Sequence, residues 1–179
     1  MGESAWRVDN EQHLLHIGGR SFRCDRDIEA TAAWKDHVLL LSSDTDCLSL
    51  WDREGMIRTA RVGVYPQDVA VRGDVAYVCG GADGKLHVLP LPDLHTSAEF
   101  VLPGMPERLC IWDVVAYVLT LLVEPEVHTA LLSVQLDTGD WREVAQFAGI
   151  PEGIVVDGKG LWVMVNEGVT RLRWADMGT

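Results

Sequence analysis

Carboxylates and their polar neighbours recur at related points along the chain. Glu29, Gln67, Asp68, Glu107, Arg108 and Glu152 each stand one or two residues after Asp27, Pro66, Pro106 or Pro151, positions separated by 39, 40 and 45 residues. Oxygen donors gathered on one face can hold Ca²⁺ or another divalent cation, or a cationic group of a ligand, because hard cations take oxygen ligands. Those six residues are the candidate ligand-binding set. No catalytic set stands beside them. The six His residues are scattered, and His13 and His16, three apart on a predicted strand, face opposite sides and cannot share a metal. A Gly-x-Ser-x-Gly elbow and a phosphate-cradling loop before a helix are both missing. Asp44-Thr45-Asp46 begins like a Ca²⁺ loop without the rest of that motif. Seven Trp residues offer stacking surface, and packing between sheets is their commoner use.

The elements that must position these residues form a repeat. Segments beginning near Asp27, Pro66, Pro106 and Pro151 share a strand, a tight turn and a second strand. The clearest copy runs from Tyr65 to Asp93, with a turn at Arg72-Gly73-Asp74 and a Gly-Asp-Gly loop at Gly81–Gly84. Alternating columns read Ala30, Val69, Leu109 and Ile154, then Ala32, Val71, Ile111 and Val156, as half-buried strands should. Second strands align Val38, Tyr77, Tyr117 and Trp162 and are almost wholly apolar, which suits strands sandwiched between neighbouring sheets. Third strands (CLSLWD, LHVLPLPD, LLSVQLD, VTRLRWAD) close on Asp, and fourth strands return as MIRTARVGV, SAEFVLPG and WREVAQFAG. A period near forty residues with four strands per unit predicts an all-β propeller of about four blades per chain, in a single domain over residues 1–179.

The last unit stops after its third strand, while residues 5–26 supply the strands HLLHI and SFRC, with Trp6-Arg7-Val8 as a further one. Those N-terminal strands are expected to complete the last blade, since closure removes exposed sheet edges. Only one strand is needed there, so two closures stay open: a ring within one chain, or a homodimer whose two halves make a ring of about eight blades.

Composition narrows the partners. The chain has 179 residues, 47% hydrophobic and 23% charged, and a net charge of −12. That suits a folded domain and repels phosphate backbones, so nucleic acid is not expected. The start has no basic and apolar signal regions, and Trp6 stands where myristoylation needs a small residue. The apolar run from Val114 to Val123 is half the length of a bilayer span, so no membrane partner is expected either. Cys24, Cys47, Cys79 and Cys110 lie far apart, which points to free thiols and a cytoplasmic setting.

The pieces Tyr65-Pro66-Gln67-Asp68-Val69-Ala70-Val71, Ala76-Tyr77-Val78-Cys79 and Leu86-His87-Val88 resemble the YVTN-type β-propeller repeats. The similarity covers roughly residues 27–176 and departs where Cys79-Gly80 replaces Thr-Asn. It implies binding, scaffold or surface roles and carries no universal catalytic set. The expected function is a non-enzymatic binding module for a protein or small molecule, with no cofactor. The alternative is a propeller lactonase or lyase that uses the acidic residues and a divalent cation as Lewis acid.

Overall fold

Tight turns flanked by β-branched and apolar residues fold this chain into successive antiparallel hairpins. The computed structural model describes residues 6–177; residues 1–5 and 178–179 lie outside the described residues. The first sheet contains β1 (Trp6–Asp9), β2 (Leu14–Ile17) and β3 (Arg20–Arg23). The second contains β4 (Ile28–Trp34), β5 (His37–Ser42), β6 (Cys47–Asp52) and β7 (Gly55–Arg61). The third contains β8 (Asp68–Arg72), β9 (Val75–Cys79), β10 (Lys85–Pro90) and β11 (Ala98–Val101). The fourth is built from β12 (Met105–Trp112), β13 (Val115–Leu122), β14 (His128–Gln135) and β15 (Trp141–Ala148). The fifth has β16 (Pro151–Asp157), β17 (Gly160–Val165) and β18 (Gly168–Arg173), followed by a short 3₁₀ turn at Trp174–Asp176. Among the described residues three four-stranded blades are therefore flanked by two three-stranded sheets.

Every sheet is a meander, and β4, β8, β12 and β16 run side by side along the inner wall. Successive sheets pack through opposite parities of their second strands, because side chains alternate across a strand. Leu39 and Leu41 of the second sheet meet Ala76 and Val78 of the third. Tyr77 and Cys79 then meet Ala116 and Val118, and Tyr117 and Leu119 meet Leu161 and Val163. At the other end, Leu15 and Ile17 of the first sheet meet Val38 and Leu40. Each fully buried Leu or Val contributes about 1.5–3 kcal/mol from removal of apolar surface from water. These interfaces are the core.

Two features differ from the sequence reading. The hairpins put Ile28, one residue after Asp27, in line with Pro66, Pro106 and Pro151, so Thr31 rather than Ala30 shares the column of Val69, Leu109 and Ile154. The same shift seats Leu39, not Val38, with Tyr77, Tyr117 and Trp162. Ala30, Ala32 and Ala33 are all small and give no apolar contrast to set the register. The second difference lies at the N-terminus. Among the described residues β3 pairs with β2 and β18 with β17, so the first three strands make their own sheet instead of completing the fifth.

Candidate functional site

A register break occurs at the start of each inner strand for which pairing on both sides is seen. In β4 the shift falls between Ile28 and Ala30, in β12 between Pro106 and Arg108, and in β16 between Pro151 and Gly153. The residues left unpaired are Glu29, Glu107 and Glu152. In β8 the matching residue is Gln67, whose N–H donates to the Cys79 carbonyl at 2.9 Å while Asp68 pairs with that same residue. A bulge opposes two residues to one, leaves one of them outside the ladder and re-aims its side chain. The chain thereby presents Glu29, Gln67, Glu107 and Glu152 at equivalent points on the rim of the inner wall, near the loops that join second to third strands.

The six predicted site residues then divide by what holds them. Glu29 accepts from the hydroxyl of buried Ser43 at 2.8 Å. The Gln67 amide donates to the Tyr65 carbonyl at 3.3 Å. Asp68 is a strut: its carboxylate accepts from the N–H of Val69 at 2.9 Å and from that of Leu109 on the next blade, also at 2.9 Å. Arg108 donates to the carbonyls of Glu107 at 2.8 Å and Glu152 at 3.1 Å, tying β12 to β16. The carboxylates of Glu107 and Glu152 have no hydrogen-bond or ion-pair partner among the described residues. Arg108 acts on the Glu107 carboxylate through its charge alone.

Burial pushes the pKa of Asp68 above the ordinary carboxylate value, against the pull of its two backbone donors and of Arg108. Glu107 is raised as well, by burial opposed by Arg108. A carboxylate raised in the folded state stabilises the fold most when protonated, and that contribution is lost as pH climbs through its folded pKa. Asp68→Asn cannot titrate. The unfolding free energy of the wild type minus that of Asp68→Asn is therefore expected to fall as pH rises from about 4 towards 7, followed by urea denaturation. A difference that grows over this window would mean that the backbone donors, not burial, dominate.

A cluster that sequence reasoning missed lies between the second and third sheets. His87, 3% exposed, sits with Nε2 2.8 Å from Asp83 Oδ2 and Nδ1 3.3 Å from Glu99 Oε1. Lys85 closes the group on Glu99. Gly63 and Gly80 back onto the ring so closely that a Cβ at Gly80 would meet Asp83 Oδ1 at 2.1 Å. The one signal in the sequence was a His on the inward phase of an apolar strand. Its partner Glu99 comes from cross-strand pairing that no local pattern specifies.

Among the described residues no three His, Cys, Asp or Glu side chains group to hold one ion. All four cysteines are free; burial keeps the Cys79 thiol protonated and pushes Cys110 up to about 12. Among the Trp residues, Trp34 is buried and donates to Asp74 at 2.9 Å, while Trp112 stacks on Trp174 with centroids 5.7 Å apart. No helix among the described residues is long and apolar enough to cross a membrane.

No family profile and no curated protein matches the sequence. Solved structures match the fold. The WD40 beta propeller domain of Doa1 superposes with a TM-score of 0.73 at 10% identity, covering 100% of this chain and 64% of that one. Hydrazine synthase of Kuenenia stuttgartiensis gives 0.72 at 12% identity, over 97% of this chain and 63% of that one. A catalytically inactive virginiamycin B lyase from Staphylococcus aureus with quinupristin gives 0.69 at 13% identity, over 96% and 57%. This chain spans less than two thirds of each of these three chains. At such identities the likeness is one of fold, and the fold is a β-propeller.

Proposed function

We propose that this chain, built on YVTN-type repeats, is a non-enzymatic binding module that takes a cationic group of a protein or small molecule at its bulged rim. The observation that carries this reading is the pair of unpartnered carboxylates at Glu107 and Glu152, both lifted out of the ladder by bulges. Arg108 holds the two bulges against each other through their carbonyls, so the carboxylates are set on a braced frame. The net charge of −12 adds long-range attraction for a positive ligand. The lactonase or lyase alternative would need these acids to share a divalent cation as Lewis acid. The four unpaired cysteines suit a reducing, cytoplasmic setting.

A lysine-rich peptide and spermidine serve as probes in calorimetric titration. Binding is expected for the wild type, weakening with added salt, and the double variant Glu107→Gln/Glu152→Gln should lose at least about tenfold in affinity. Equal binding by wild type and variant, or none by the wild type, overturns the reading.

A further inference from the structure

The column Leu39, Tyr77, Tyr117, Trp162 marks the outgoing face of four successive sheets. Its first three members are 0%, 5% and 4% exposed because the next sheet covers them. Trp162 is 39% exposed, and Val155 and Val169, on the same face of the fifth sheet, are 52% and 64% exposed. Among the described residues nothing covers this face, although its chemistry continues the interfaces before it.

The charges around it are arranged by strand. Asp157 lies on β16, Arg171 and Arg173 lie on β18, and the central strand β17 presents Trp162 and Met164 without charge. Within the chain Arg171 caps the Trp162 ring at 4.9 Å and reaches Asp157 at 3.4 Å, while Asp157 also accepts from the Lys159 N–H at 2.7 Å and from the Trp162 indole N–H at 3.2 Å. A two-fold axis running along β17 exchanges β16 with β18. It therefore lays the acid of one copy against the two arginines of the other, with Trp162 near the axis. The incoming face at the other end of the array is different in kind. There the first sheet presents Leu14 among Arg7, Asp9, His16, Ser21 and Arg23, five polar groups that would lose water on meeting Trp162.

We propose that a second copy of this chain covers the fifth sheet, fifth sheet on fifth sheet about a two-fold axis. The pairing is isologous, so each residue's partner is fixed by the symmetry. It does not depend on the ligand at the bulged rim.

Light scattering with size exclusion, over a concentration series, tests it. Twice the single-chain mass of 19.8 kDa is expected at the upper concentrations. Trp162→Glu should weaken dimerisation on the order of 30-fold or more, as loss of a central aromatic anchor does. Asp157→Arg should weaken it too, and Asp157→Arg combined with Arg171→Asp and Arg173→Asp should restore it, which no misfolded variant would do. Arg7→Glu/Arg23→Glu should leave it unchanged. A single-chain mass throughout, or failure of the charge exchange to restore the dimer, overturns the proposal. A dimer broken equally by the first-sheet pair also overturns it, in favour of head-to-tail closure between first and fifth sheets.

Discussion

Gly81→Ala is expected to lower the stability of the fold by about 3 kcal/mol, against about 1 kcal/mol for Gly73→Ala. Both glycines lie in the left-handed region, at φ +57° and +59°, so the conformational cost of adding a Cβ is the same. Their surroundings differ. A Cβ at Gly73 meets nothing within 4 Å, whereas one at Gly81 would lie 2.2 Å from the carbonyl oxygen of Tyr65. That carbonyl cannot retreat cheaply. Tyr65 itself has a positive φ of 55°, and its N–H is held by Asp46 Oδ1 at 2.8 Å. On its other side Val64 forms a parallel bridge to Gly81 and accepts from the N–H of Ala82 at 3.0 Å. Gly81 is thus where the chain leaving the second sheet is stitched to the third. The gap of about 2 kcal/mol between the variants corresponds to about 4–8 °C in melting temperature for a domain of this size. Variants that melt together would show that the loop at 80–84 gives way without disturbing the blades.

How far the sequence could lead is seen in these same residues. Gly81–Gly84 was legible as a hairpin loop, because a Gly-Asp-Gly run between apolar strands admits few other structures. The strands were legible too, since nearly every one alternates or is wholly apolar with a turn at both ends. Register was less so. The first unit slipped by one residue where alanines blurred the alternation, and nothing in a sequence marks the single inserted residue of a bulge. Yet Glu107 and Glu152 each follow a Pro at the head of a repeat, and the acids that the bulges present were in the predicted set for that reason. The set did not separate a strut from an acid without a hydrogen-bond partner. Asp68 lies two residues after Pro66 and Glu107 one after Pro106, and it is the N–H groups of Val69 and of Leu109 on the next blade that make Asp68 structural. Partner choice was the least legible property. The N-terminal strands were recognisable as strands, but an edge strand does not encode which edge it will pair with.

Leu132→Ala and Leu15→Ala should have the same local cost, about 3 kcal/mol for a fully buried Leu, and different consequences. Leu132 lies between complete blades, in the cluster shared by Tyr77, Leu86, Val118 and Val134. Losing it weakens a junction with structure on both sides, and the whole array is destabilised. Leu15 lies in the cluster that fixes the first sheet to the second, with Ile17, Val38, Leu40 and Trp51. Beyond that cluster the sheet is held by few ties. Asn10 clasps the backbone of Ile28 at 3.1 and 3.3 Å, and Arg20 pairs with Glu54 at 2.8 Å on the surface, where such a bridge is worth about 0–1 kcal/mol. In an array whose units contact only their neighbours, an end unit can detach while the rest stays folded. Hydrogen exchange on Leu15→Ala is therefore expected to show protection falling about 100-fold in β1–β3 and unchanged in β13 and β14. On Leu132→Ala the fall should reach the inner strands of all three complete blades. A uniform loss of protection in both variants would mean that the five sheets unfold as one unit. The first sheet would then be an integral wall of the ring rather than a detachable end.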